Sequence, residues 1–281
     1  MKNIKTKSLI LLLILFSNLH ADVAVFPKQE WESKTPDSVG IESEKVEYLF
    51  DLAFQDQATQ SAVLIKNGYI IKERYSESFD QESYGTSWSM AKSFYAALIG
   101  ISIDRGEINS LDDKVSNYVD YYNDERSEIT IRQILNMTSG LDFPENEHES
   151  MFFRHDQIAY VKDVGVEKLP EQVFEYNNVN SMIVGEILKN ATGISAEILL
   201  EDRIFKPIGI DKFTLWKDGT GNPMTYCCID MSARDYSRFG LLFYFLLYTS
   251  DAADDTHCVD HGGRRIIKKK RGGGGGGGGG G

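Results

Sequence analysis

The chain has 281 residues, of which 42% are hydrophobic and 11% aromatic, so it is long enough and apolar enough to bury a sizeable core. Its formal net charge at pH 7 is −12. An acidic surface repels phosphate backbones and anionic lipid, so composition argues against nucleic acid as a partner and against a nucleic-acid-binding function.

The N-terminus has the pattern of an export signal. Lys2, Lys5 and Lys7 precede the apolar run Leu9–Phe16, and Ala21 supplies a small residue for cleavage. The run is too short for a stop-transfer helix. We therefore expect a signal peptide over residues 1–21, a mature chain without a membrane span, and a secreted or periplasmic location.

The C-terminus loses all helix or strand periodicity. Residues 247–281 run through a small acidic stretch and a basic stretch into ten consecutive glycines, a composition typical of flexible linkers. The stretch resembles translated sequencing-adapter read-through. We expect residues 247–281 to be a disordered, non-native tail on a C-terminally truncated domain that spans residues 22–246.

The first elements in chain order are a helix and a hairpin. Apolar residues at helical spacing predict a helix over Glu42–Gln57. Ser61–Lys66 and Tyr69–Tyr75 have strand composition, and the Asn67-Gly68 pair between them is typical of a two-residue hairpin turn.

Helices dominate the rest of the body. They are predicted at Met90–Ile103, at a capping box that opens with Thr130, at Val179–Asn190, at Ser195–Ile204, and after a cap at Ser232–Asp235. This order indicates an α+β fold or a sheet with a large helical insertion. Because adjacent cysteines seldom bridge, we expect no structural disulfide and no thiol metal site from Cys227, Cys228 and Cys258.

Ser89 and Lys92 form the central chemical feature. Positions i and i+3 share one face of a helix, so the amine can reach the Ser89 hydroxyl and act as its base. Lys92 would be partly desolvated at the start of an apolar helix, which favours its neutral form. The alternative is that Ser89 caps the helix and that Lys92 extends to solvent.

A second polar group, Tyr176 with Asn178, precedes the helix over Val179–Asn190. Tyr176 is a possible base or proton shuttle, and Asn178 could donate a hydrogen bond to a substrate carbonyl and order Lys92. The alternative is that Asn178 caps the helix while Tyr176 packs in the core.

Together these segments resemble the serine β-lactamase and penicillin-binding-protein superfamily. The similarity rests on Ser89-Met90-Ala91-Lys92, on Tyr176-Asn177-Asn178, and on the segments Ile129–Leu141 and Cys227–Gly240. The similar branch is the class C β-lactamase-like group, with its esterases, D-amino-acid peptidases and 6-aminohexanoate-dimer hydrolase.

The resemblance implies a fold and a set of roles. The fold is an antiparallel sheet flanked by helices with an inserted all-α domain. Ser89 would form an acyl-enzyme, and its backbone N–H would be half of the oxyanion hole. Lys92 would take or relay the proton, Tyr176 would be the general base, and Asn178 would position substrate. No cofactor and no metal are implied.

One family feature is missing. The resemblance predicts a Lys-x-Gly or His-x-Gly strand that carries the second oxyanion donor, and no credible match is found in the body. His261-Gly262-Gly263 has the wrong spacing and lies in the expected non-native tail. The C-terminal strands would then be absent. We therefore expect the chain as given to be inactive and poorly folded.

Substrate and competing functions stay open at this point. A small ester, a lactam or a D-amino-acid amide, including peptidoglycan-like material, fits the same chemistry. Trp88, Tyr84, Phe152 and Phe153 are predicted to line an apolar pocket. His148 and His155 fall in a polar loop, where solvated side chains are expected. The alternative function is a non-catalytic periplasmic protein that binds peptidoglycan or another ligand. Oligomeric state is not predicted.

Overall fold

The computed structural model describes residues 25–27, 30–144 and 147–248, with side chains up to residue 245. The predicted signal peptide (residues 1–21) and residues 249–281 of the predicted tail lie outside the described residues. The chain divides into two compact units, one up to Asp80 and the other from Gln81.

The first unit contains one helix and one hairpin. Helix α1 spans Ser43–Ala53, and strands β1 (Ser61–Lys66) and β2 (Tyr69–Tyr75) pair antiparallel. The turn between the strands has φ of 53° at Asn67 and 85° at Gly68. Because these are the left-handed angles of a two-residue hairpin turn, the predicted strands and turn are confirmed.

Helix α1 covers the hairpin within this unit. Phe50 is fully buried, with Lys72 and Arg74 from strand β2 over its ring. The same two cations pair with Glu47 of the helix, at 2.5 Å from Lys72 and 3.4 Å from Arg74. The helix is shorter than the predicted Glu42–Gln57, since the Thr59 hydroxyl donates to the Ala53 carbonyl and the chain turns there.

The second unit contains a small antiparallel sheet. Its strands are β3 (Tyr84–Thr86), β4 (Thr214–Leu215) and β5 (Ile229–Ser232), and β5 lies in the middle. Strand β3 therefore pairs with a strand that follows it by more than a hundred residues. The intervening chain is helical, in agreement with the predicted α+β class and helical insertion.

The helices of the second unit are named here in chain order. They are α2 (Ala91–Asp104), α3 (Ile131–Leu135), α4 (Glu147–Phe152), α5 (Gln157–Asp163), α6 (Asn178–Thr192), α7 (Ala196–Leu200) and α8 (Ala233–Tyr248). Thr130 and Gln133 form the predicted capping box at the start of α3. No helix within the described ranges is long and apolar enough to cross a membrane.

Helix α2 is the core of this unit. Its buried side chains include Phe94, Leu98 and Ile99, and the ring of Phe94 stacks on Phe239 of α8 at 3.5 Å between centroids. A helix that is apolar nearly all round must be surrounded by other elements. The helix predicted at Met90–Ile103 is confirmed, and its burial fixes the start of α2 in space.

The expectation of no disulfide is wrong for one pair. The structure joins the sulfur atoms of Cys227 and Cys228. The backbone of Cys228 lies in the left-handed region, with φ of 79°, a conformation that sequence alone does not signal for a cysteine. Cys258 lies outside the described residues.

Candidate active site

Strand β3 leads into the site, and two hydrogen bonds between Ser87 and Ile229 hold its end in place. The Ser87 amide donates to the Ile229 carbonyl at 2.8 Å, and the Ser87 hydroxyl accepts from the Ile229 amide at 2.9 Å. Ser87 is buried. The end of strand β3 is therefore held against strand β5 just before the chain turns into α2.

The turn that follows is strained at Trp88. Its φ is 45°, which is unfavourable for a residue with a bulky side chain. Strained backbone persists where surrounding structure enforces it, and it concentrates at functional sites. The short helical turn Trp88–Met90 leaves Ser89 exposed to solvent at the start of α2. Met90 caps α2 without a side-chain hydrogen bond, so Ser89 does not serve as its N-cap.

Lys92 lies one helical turn after Ser89 and contacts it. Its Nζ donates to Ser89 Oγ at 3.0 Å and to the Tyr226 carbonyl at 2.8 Å. No carboxylate among the described residues forms an ion pair with Lys92. Burial lowers the pKa of Lys92 below its ordinary value, against smaller raising effects from Tyr176. The amine is therefore biased toward its neutral, basic form.

Tyr176 lies 87 positions after Ser89 in the chain and also contacts it. Its Oη donates to Ser89 Oγ at 2.5 Å, and its ring centroid lies 4.8 Å from Lys92 Nζ. Ser89 Oγ thus accepts hydrogen bonds from two groups that can each also take a proton when deprotonated. An arrangement of this kind, with two groups able to take a proton at one hydroxyl, can activate a serine as a nucleophile.

Asn177 holds Tyr176 in place. It is fully buried and is the N-cap of α6, since its Oδ1 accepts from the Val179 amide at 2.9 Å. Its Nδ2 donates to the Leu141 carbonyl at 3.2 Å. The cap is Asn177 rather than Asn178, so the alternative of a capping Asn178 does not describe the structure. Tyr176, immediately before a rigid cap, is thereby fixed.

The structure places Asn178 beside a residue that the sequence did not connect with it. Asn178 Nδ2 lies 2.9 Å from His148 Nδ1, and Asn178 Oδ1 is buried without a hydrogen-bond partner among the described residues. The His148 ring stacks on Tyr176 with 5.9 Å between centroids. His148 is half-buried, which differs from the expected solvated loop histidine.

Two contributors to the site were missed from sequence. The Tyr226 carbonyl is a backbone group, and no residue identity predicts which carbonyl a lysine will reach. His148 lies about thirty residues before Asn178, and no periodicity connects the two. Of the aromatic residues predicted to line a pocket, Trp88 is exposed beside Ser89, whereas Phe152 lies against Phe153 and Trp216. A shared pocket for all four stays a prediction.

Fold and site together define the class of serine β-lactamases and penicillin-binding proteins, as the sequence predicted. Residues 56–257 match the family model described as Beta-lactamase. The match covers more than half of the chain, and the chain belongs to this family.

Relatives of known sequence and structure agree with this assignment. The chain is 30% identical over 135 residues to penicillin-binding protein 4 of Amycolatopsis lactamdurans, over 46% of this chain and 35% of that protein. The aligned part thus spans about a third of that curated relative's length.

Two solved structures share the fold. A Bacillus anthracis protein assigned as a 6-aminohexanoate-dimer hydrolase superposes with a TM-score of 0.65 at 20% identity, covering 87% of this chain and 67% of that one. The D-alanine carboxypeptidase AmpC of Burkholderia cenocepacia superposes with a TM-score of 0.59 at 16% identity, covering 80% and 69%. At these identities the likeness is one of fold.

Proposed function

We propose that the protein is a serine hydrolase that works through an acyl-enzyme on Ser89. The observation that carries the proposal is the contact of Ser89 Oγ with both Lys92 Nζ and Tyr176 Oη, at 3.0 and 2.5 Å. Family membership supports a hydrolase.

Acylation follows from this geometry. The Ser89 hydroxyl proton passes to neutral Lys92 or to deprotonated Tyr176 as Oγ bonds to the acyl carbon. The Ser89 backbone N–H, at the start of α2, stabilises the oxyanion of the tetrahedral intermediate. The bond to the leaving group then breaks, and the leaving group takes the proton from Lys92 or Tyr176.

Deacylation uses the same groups in reverse. Tyr176 or Lys92 accepts one proton from a water molecule as the water oxygen bonds to the acyl carbon. The Ser89 Oγ–C bond breaks, Oγ recovers a proton from the same pair, and the acid leaves. The net reaction adds one water across one acyl bond. No cofactor or metal enters this scheme.

The proposed substrate is a small ester, lactam or amide, with peptidoglycan-like peptides among the amides. Trp88, exposed beside Ser89, is the proposed contact for the acyl or leaving group, and Asn178 the proposed polar contact. We further propose that the mature protein acts outside the cytoplasm, in the periplasm or secreted, and not on nucleic acid.

Turnover by the 281-residue chain is expected to be low or absent. The Ser89 backbone N–H is the proposed oxyanion donor, and no second donor is identified among the described residues. Loss of one such donor reduces kcat by about 10²–10³. Covalent labelling of Ser89 consumes one reagent molecule per chain and needs no deacylation, so it remains measurable when turnover is slow.

The test is labelling of the purified chain with a fluorophosphonate, followed by peptide mapping. We expect one adduct, on Ser89, that is lost in Ser89→Ala. Ser78→Ala, at an exposed turn serine, is the matched control and should label like wild type. A folded chain that does not label at Ser89 would contradict the proposal and favour the non-catalytic ligand-binding alternative.

A further inference from the structure

His148 contacts both Tyr176 and Asn178, the two polar residues that approach the Ser89–Lys92 pair from the segment before α6. It lies near the start of α4, with Phe143 edge-on at 4.8 Å and Tyr176 stacked at 5.9 Å between ring centroids. Two aromatic neighbours hold an imidazole ring in one orientation. The ring plane of His148 is thus held against Tyr176, and its Nδ1 lies toward Asn178.

The contact with Asn178 has a defined hydrogen-bonding sense. Asn178 Nδ2 lies 2.9 Å from His148 Nδ1, and an amide nitrogen can only donate. With Asn178 Nδ2 toward the ring, His148 Nδ1 accepts this hydrogen bond.

The other end of this amide is chemically significant. Asn178 Oδ1 is buried and has no hydrogen-bond partner among the described residues, whereas buried polar atoms are nearly always satisfied. With Asn178 Nδ2 directed at His148, the amide oxygen is the end left unsatisfied. Such an acceptor is available to a donor that arrives with substrate or water.

We propose that His148 is a positioning residue, which fixes the amide of Asn178 and the ring of Tyr176 for acylation of Ser89. This inference rests on the proposed function of Ser89. Asn178 and Tyr176 flank the rigid cap Asn177, so one side chain that contacts both can set their orientation without touching the substrate.

The test compares acylation by p-nitrophenyl acetate, measured as the burst of p-nitrophenolate from the full chain. His148→Phe keeps the ring packing and removes Nδ1; we expect the acylation rate to fall about tenfold, the effect of one well-placed hydrogen bond. His148→Gln, whose Oε1 can accept from Asn178, should recover to within about threefold of wild type. His155→Phe, at an exposed histidine, is the control and should match wild type.

A double-mutant cycle separates positioning from general stability. In an Asn178→Ala background, His148→Phe should lower acylation by no more than about twofold, because the partner through which it acts is gone. A full tenfold loss in that background, or wild-type acylation in His148→Phe alone, would overturn the inference.

A second measurement is independent of activity. A through-hydrogen-bond coupling between Asn178 Nδ2 and His148 Nδ1 is expected in the NMR spectrum of the ¹⁵N-labelled chain near neutral pH. Its absence overturns the inference even if Ser89 reacts. If the coupling is present but Ser89 does not react, the proposed function fails while the His148–Asn178 contact stands.

Discussion

Replacing Lys92 by methionine removes the amine while it keeps most of the side-chain volume. The change deletes two hydrogen bonds, to Ser89 Oγ at 3.0 Å and to the Tyr226 carbonyl at 2.8 Å. A positioned base contributes about 10²–10⁴ to rate. We therefore expect the fluorophosphonate labelling rate of Ser89 to fall at least about 100-fold, or about 2.7 kcal/mol in activation free energy.

Stability should change much less than rate in Lys92→Met. Leaving the buried Tyr226 carbonyl without its donor costs about 1–3 kcal/mol, and the loss of a half-buried ammonium offsets part of this cost. The free energy of unfolding, measured by urea denaturation, should stay within about 2 kcal/mol of wild type. Lys206→Met is the control: this exposed lysine pairs with Glu201 and Asp202, and such pairs contribute about 0–1 kcal/mol.

The pH dependence provides an independent check on Lys92. Because burial lowers its folded-state pKa, the labelling rate should rise with pH through that value, with a midpoint below 10.5. Stability should rise with pH between the folded pKa and the unfolded one, since only the unfolded chain binds the proton there. A wild-type labelling rate in folded Lys92→Met, with the same pH profile, would refute the role of Lys92 as base.

Three further substitutions test neighbouring parts of the site. Tyr176→Phe removes the 2.5 Å contact to Ser89 and should lower labelling about 10²-fold or more, with a melting temperature near that of wild type because the ring is partly exposed; unchanged labelling would exclude Tyr176 as a base. Asn177→Ala removes the α6 cap and should cost about 1–3 kcal/mol of unfolding free energy by urea titration; no loss would contradict the capping argument. Trp88→Ala should shift the relative rates on acetyl and longer acyl p-nitrophenyl esters, with stability within about 1 kcal/mol because the side chain is 63% exposed; equal loss on all esters with a lower melting temperature would mark Trp88 as structural.

Local signals predicted the elements well where one short pattern decides the backbone. Asn67-Gly68 predicted the hairpin turn, because only a few residues accept two successive positive φ angles, and strand composition on either side predicted β1 and β2. The long apolar run of α2 and the Thr130 capping box likewise predicted their helices. The sequence also supplied the i, i+3 spacing of Ser89 and Lys92, which any helix would bring together.

The long-range parts of the site could not be predicted in this way. Tyr176 reaches Ser89 across 87 positions, and only the family resemblance joined them. The Tyr226 carbonyl and His148 entered through tertiary packing, which carries no local signature. The assignment of the α6 cap also depended on packing, since Asn177 and Asn178 have equal propensity and only Asn177 also bonds the Leu141 carbonyl.

The hydrogen-bond partner of Lys92 is compatible with its proposed role as a base. A carboxylate in contact would stabilise the ammonium and raise its pKa. A backbone carbonyl accepts one N–H without adding a charge, so the Tyr226 contact satisfies the amine while burial still lowers its pKa. Ser87, just before Ser89, bonds to Ile229, and Lys92 bonds to the Tyr226 carbonyl. The turn that carries Ser89 and the acceptor of Lys92 are therefore both held by the Tyr226–Ser232 segment. Mutations that loosen strand β5 are therefore expected to impair Ser89 and Lys92 together.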